Sequence, residues 1–147
     1  MTEVERIEDQ LRRAFEGEAW YGDSMSEILA GVPAEKASAH PVPQVHSIVE
    51  IVLHLIFTED VMRRKIEGER ATISEGEDLF SIGEVSEVVW KDTLVQMETS
   101  HRKLREVIGK LKEEDLEANV VGQEYSIYFL LHGLIQHLIY HGGKLRC

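Results

Sequence analysis

The chain has 147 residues, of which 43% are hydrophobic and 29% are charged, which indicates one soluble globular domain over residues 1–147. Its formal net charge of −11 argues against nucleic acid as a partner, because phosphate binding needs a basic surface. Cys147 is the only cysteine and no apolar run is long enough to span a membrane, so we expect a cytoplasmic protein without membrane contact.

The N-terminal segment predicts an amphipathic helix. Thr2 and Glu5 have the spacing of a capping box, and apolar residues follow at helical intervals. We expect this helix to continue through Trp20 and a short helical turn to begin at Ser24. The segment 31–45 contains all three prolines and has no periodicity, so we interpret it as a loop.

A second capping box, formed by Ser47 and Glu50, predicts the start of a second long helix. Its apolar stripe continues until Gly68, which is expected to end the helix. The following stretch, from Glu67 to Glu87, carries seven acidic residues and one arginine. We interpret it as a solvated acidic loop.

Two further long helices are predicted in the C-terminal half. The third helix opens at Ser81 or Gly83, a short helical turn follows at residues 112–115, and the fourth helix spans Ser126 to Cys147. The inward stripe expected for the third helix is Val85, Val88, Val89, Leu94, Met97, Leu104, Val107, Ile108 and Leu111. Four long helices predict an all-α fold of the four-helix-bundle type.

Three histidines occur on the apolar faces of two of these helices. His137 and His141 are four residues apart, which places both imidazoles on one helical face, about 6 Å apart along the axis. Two side chains at this separation can chelate one metal ion, as in helical H-x-x-x-H zinc motifs. His54 lies in the apolar stripe of the second helix. A buried neutral imidazole without a partner costs on the order of 1–3 kcal/mol, and a shared metal would satisfy all three.

We therefore predict a divalent-metal site at His54, His137 and His141, with positions open for water or substrate. Glu50 lies one turn before His54, and it is a candidate for a catalytic base acting on bound water, for a hydrogen-bond acceptor behind a ligand, or for a capping residue alone. His132 is about 140° around the helix from His137, so we expect it outside the ligand set. We expect His40 and His101 at the surface. These residues alone leave open a core of hydrogen-bonded histidines that holds no metal.

Four segments carry a resemblance to a known family: Trp20 to Ser24, Ser47 to Leu55, Gly68, and His132 to Gly143. In this order they resemble the DinB-like (DinB/YfiT) superfamily of small helical-bundle metalloproteins. The resemblance implies an up-down-down-up four-helix bundle with a long crossover between the second and third helices. It also implies that His54, His137 and His141 bind a divalent metal, commonly zinc, nickel or iron.

The resemblance also carries expectations about function. Characterised members include transferases that use mycothiol, bacillithiol or glutathione, in which the metal would activate the thiol as thiolate. It therefore implies a metal-dependent thiol S-transferase, with a small-molecule thiol and an electrophile as substrates, and a homodimer. One departure is Lys144, which follows Gly143 where the family usually has Gln. The alternatives are a metal-dependent hydrolase with Glu50 as base, and a non-enzymatic, stress-related metal-binding protein.

Overall fold

The computed structural model describes residues 1–146, and their secondary structure is helical. In chain order the elements are α1 (Glu3–Glu16), α2 (Met25–Leu29), α3 (Ala34–Ser38), α4 (Ile48–Ile66), α5 (Glu87–Gly109), a 3-10 helix (Glu113–Glu117) and α6 (Ile127–Arg146). The predicted all-α class is therefore confirmed for the described chain. Cys147, where the last helix was predicted to end, lies outside the described residues. No helix among residues 1–146 is both long enough and apolar enough to cross a membrane.

Three capping boxes begin helices α1, α2 and α4. In each, a hydroxyl accepts a hydrogen bond from a backbone N–H of the first turn, and a glutamate accepts one from the capping residue. The pairs are Thr2 with Glu5, Ser24 with Glu27, and Ser47 with Glu50. After α4, Gly68 has a φ of 98°, a left-handed conformation that glycine adopts without steric cost. The predicted starts of α1 and α4 and the predicted end of α4 are confirmed.

The segments on either side of α2 differ from the prediction. Helix α1 ends at Glu16, because Gly17 and Glu18 leave the helical region with φ values of 153° and 64°. Trp20, predicted to be helical, is fully exposed in the following loop. The short helix α3 begins after Pro33, within the segment interpreted as a loop. With five residues, α3 is too short to produce a periodic signal.

Helix α5 begins later than predicted. Its N-cap is Ser86, whose hydroxyl accepts a hydrogen bond from the backbone of Val89. Upstream of Ser86, the backbone N–H groups of Ile82 and Val85 donate to side chains of other segments, which holds this stretch out of the helix. The inward stripe was also wrong in part, since Val88 and Val89 are exposed.

Trp90 is the residue that anchors the start of α5. Its side chain is buried, and its indole N–H donates to the carbonyl oxygen of Val32 at 2.8 Å. The core then lies among the four long helices, with α1 and α4 each packed against both α5 and α6. Its fully buried side chains include Ile7, Leu11, Val52, Leu55, Met97, Leu104, Ile108 and Leu131.

His101 was expected at the surface but is part of this core. Only 2% of the residue is exposed, and its ring stacks on Phe15 with the ring centres 3.9 Å apart. Neither ring nitrogen has a hydrogen-bond partner among the described residues. Burial, together with the charge of Arg105, lowers the pKa of His101 to about 3. The spacing of His101 from Met97, four residues, already placed it on the inward face.

Replacing His101 by phenylalanine should make the fold less sensitive to acid. Because the pKa of the folded state lies below that of the unfolded chain, only the unfolded chain takes up a proton between about pH 6.5 and 3. Through this window His101 lowers the free energy of unfolding as pH falls, by at most about 1.4 kcal/mol per pH unit. Urea titrations at pH 7 and pH 5 should show a smaller loss for His101→Phe than for wild type. An equal loss would contradict the assignment.

Candidate metal centre

Three imidazole nitrogens from two helices meet at one point. His54 comes from α4, and His137 and His141 come from consecutive turns of α6. The Nε2 atom of His137 lies 3.1 Å from Nε2 of His54 and 3.0 Å from Nε2 of His141. The three ligand atoms all lie within 4.8 Å of one another, a group that could hold a metal ion. The structure thus brings together the three histidines that their sequence spacing singled out.

The contacts of Nδ1, the other ring nitrogen of His54, determine which nitrogen of this ring faces His137 and His141. Nδ1 lies 2.9 Å from the backbone carbonyl oxygen of Asp78 and 3.3 Å from a carboxylate oxygen of the same residue. Both atoms are acceptors, so these contacts assign the proton of neutral His54 to Nδ1, which donates to the carbonyl. Nε2 then presents a lone pair to His137 and His141, the arrangement typical of metal-binding histidines.

Asp78 was not predicted to have a role in the site. It lies in the acidic connection between α4 and α5, which we interpreted as a solvated loop. The main contact of Asp78 to His54 uses its backbone oxygen, which any residue would provide, and one aspartate among many acidic neighbours gives no distinguishing signal.

Hydrogen bonding within the protein does not satisfy all three rings. A neutral imidazole nitrogen carries either one proton or one lone pair, so Nε2 of His137 can pair properly with only one of its two neighbours. A cation between the three Nε2 atoms would accept all three lone pairs, and imidazole suits zinc, iron and nickel. The donor set therefore fits a divalent transition metal.

The electrostatics of the two rings on α6 also suit metal binding. Burial, reinforced by the neighbouring imidazoles, lowers the pKa of both His137 and His141 to about 4. Both rings are therefore neutral near pH 7, and the neutral ring is the form that binds metals.

Comparison with known families is consistent with this geometry. The family model of the DinB superfamily matches residues 19–145. The chain belongs to the DinB superfamily. Its members are metal-binding proteins, and the three converging histidines of this DinB protein could hold such a metal. No curated protein and no solved structure matches the chain significantly.

His132, the other histidine on α6, lies outside the group. It is half-buried, its ring packs against Tyr128 with the ring centres 4.4 Å apart, and its Nε2 has no partner among the described residues. The five-residue offset from His137 turns it away from the other two rings, as its spacing predicted.

Lys144 and Tyr140 lie beside the histidines on the last turns of α6. The ammonium nitrogen of Lys144 is 4.6 Å from the centre of the Tyr140 ring. That ring is in turn 5.2 Å from the ring of His141. Both side chains are largely exposed, so they lie at the solvent side of the centre. From the sequence, Lys144 was recognised only as a departure from the family pattern, and its position beside the histidines was not predicted.

Glu50 makes a different set of contacts. One carboxylate oxygen accepts hydrogen bonds from the backbone N–H of Ser47 and from Nε2–H of His40, each at 2.7 Å. The other oxygen accepts one from the backbone N–H of Ile82 at 2.8 Å. Burial acts to raise the pKa of Glu50, but these hydrogen bonds lower it to about 2. The carboxylate joins the start of α4 to two loops, and its role as a catalytic base stays a prediction.

Replacing Glu50 by glutamine should destabilise the fold in a pH-dependent way. The pKa of the folded state lies below the unfolded value, so the carboxylate stabilises the fold above about pH 4.5 and loses this effect as pH falls towards 2. We expect Glu50→Gln to lower the free energy of unfolding by about 1–3 kcal/mol at pH 7, and by much less at pH 3.

Urea titrations at the two pH values measure this difference. Glu5→Gln is a matched control, because Glu5 occupies the same capping-box position in α1 but is exposed. It should cost less than about 1 kcal/mol. A Glu50→Gln protein as stable as wild type at pH 7 would refute the structural role.

Proposed function

We propose that this DinB protein binds one divalent metal through the Nε2 atoms of His54, His137 and His141 and transfers a low-molecular-weight thiol to an electrophile. The observation that carries the proposal is the convergence of three imidazole Nε2 atoms, of which a hydrogen bond can properly pair only two. Three protein ligands leave coordination positions open, as in catalytic rather than structural sites. A metal in this site would favour the thiolate form of a thiol. Zinc, nickel and iron all accept imidazole, so the metal is proposed only as one of these.

We also propose the DinB-type four-helix bundle, with a crossover between α4 and α5. Two hydrogen bonds support it. Glu50, at the start of α4, pairs with Ile82, just before α5. Glu59, further along α4, accepts a hydrogen bond from the hydroxyl of Ser100, further along α5. These pairings indicate that the two helices run in the same direction. Neighbouring parallel helices need a long connection, which residues 67–86 provide.

The proposed reaction is a substitution at carbon, in which one bond forms and one bond breaks. The thiol loses its proton to solvent, and its sulfur forms a bond to an electrophilic carbon. The bond from this carbon to the leaving group breaks, and the leaving group departs with the electron pair. In this scheme Asp78 orients the His54 ring through Nδ1, and the α6 backbone fixes the spacing of the other two rings.

This proposal favours thiol transfer over hydrolysis with Glu50 as the base. Both oxygens of Glu50 accept hydrogen bonds from Ser47, His40 and Ile82, and its low pKa makes it a weak base near pH 7. We further propose that the protein is a homodimer. We place it in the cytoplasm, where reducing conditions keep small thiols free.

A thiol-transfer assay tests the function directly. Protein without a polyhistidine tag is loaded with zinc, nickel or iron(II) and mixed with 1-chloro-2,4-dinitrobenzene and glutathione, mycothiol or bacillithiol. We expect turnover with at least one thiol, and a loss of at least about 100-fold in His54→Ala and His137→Ala. His132→Ala, on the same helix but outside the group, should keep wild-type turnover. No turnover with any metal and thiol, or equal rates in the ligand variants, would refute the proposal.

A further inference from the structure

Lys144 lies on the same stripe of α6 as the two metal-ligand candidates. It follows His141 by three residues and His137 by seven, spacings that place all three on one face of a helix. Helical side chains lean towards the N-terminus, so the Lys144 side chain extends back over the preceding turn. Its ammonium group accordingly lies over the ring of Tyr140. The Lys144 charge is therefore held against Tyr140, at the solvent side of the centre.

The charges around the centre favour an anionic ligand. The ammonium nitrogen of Lys144 lies 4.6 Å from the centre of the Tyr140 ring, and that ring is 5.2 Å from the ring of His141. Among the described contacts of the three histidines there is one carboxylate, that of Asp78, which lies 3.3 Å from Nδ1 of His54. Three neutral imidazoles, a divalent cation and one lysine against one carboxylate leave a net charge of +2. A bound thiolate would neutralise one of these two positive charges, and the other would remain to attract a second anionic group.

We propose that Lys144, supported by Tyr140, selects thiols that also carry a carboxylate. The inference rests on the proposed function, since it assigns the thiolate to the metal and the second anionic group to Lys144. A single ammonium group with three N–H donors matches one carboxylate, and a thiol without a carboxylate would offer it no anionic partner. Because the site is partly exposed, the preference should be modest, about two- to fivefold in affinity.

Thiol binding to cobalt-substituted protein tests this without an activity assay. Cobalt(II) in the site should show a sulfur-to-cobalt charge-transfer absorption band when a thiolate binds. Titrations at low salt compare 3-mercaptopropionate with 3-mercaptopropionamide, which has nearly the same shape but no carboxylate. Wild type should bind the carboxylate form two- to fivefold more tightly. Lys144→Gln should abolish the preference, and Lys144→Glu should reverse it.

Lys103→Gln is the matched control, because Lys103 is an exposed lysine on α5. It should keep the wild-type preference, and none of the variants should change the cobalt spectrum before thiol is added. Equal affinity of wild type for the two thiols, or an unchanged preference in Lys144→Gln, would overturn the selectivity while leaving thiol binding intact. If neither thiol produced a charge-transfer band in wild type, the proposed function and this inference would both be overturned.

Discussion

The meeting of His54 with the two histidines of α6 is the contact on which this account depends. Each ring comes from the apolar face of its helix, so the packing that builds the core also brings the three rings together. Nε2 of His54 and Nε2 of His141 lie 3.1 and 3.0 Å from Nε2 of His137. Buried polar groups are stable only when they are paired, and hydrogen bonding can pair Nε2 of His137 with only one of its two neighbours. A bound cation would turn this unfavourable cluster into a link between α4 and α6.

The local charges at the centre differ from those of the whole molecule. The net charge of −11 suggests an electronegative protein, and the connection between α4 and α5 is its most acidic part. Yet Asp78 from this connection contacts His54 chiefly through a backbone oxygen, and Lys144 adds a cation on the open side. In a centre of three neutral ligands, individual charges at a few ångströms outweigh a net charge that is spread over the surface and screened by salt.

Local sequence signals predicted the helices well where interactions within one or two helical turns determine the structure. The capping boxes of α1 and α4 satisfy backbone groups within one turn, and the four-residue spacing of His137 and His141 sets their common face. The start of α5 could not be predicted in this way, because distant side chains hold the residues before Ser86. His101, expected at the surface, lies in the core, where its four-residue spacing from Met97 is the local signal for its position. The contact of Asp78 with His54 depends on the path of a long loop, which no local pattern specifies.

X-ray absorption spectroscopy of zinc-loaded protein would test the central claim most directly, because it counts the imidazoles bound to the ion. The account predicts three imidazole nitrogens at about 2.0–2.1 Å together with an oxygen ligand, and two imidazoles in His54→Gln. Adding a thiol should replace the oxygen by sulfur at about 2.3 Å. A zinc environment that is the same in wild type and His54→Gln would show that α4 and α6 do not share the ion, and would contradict the account.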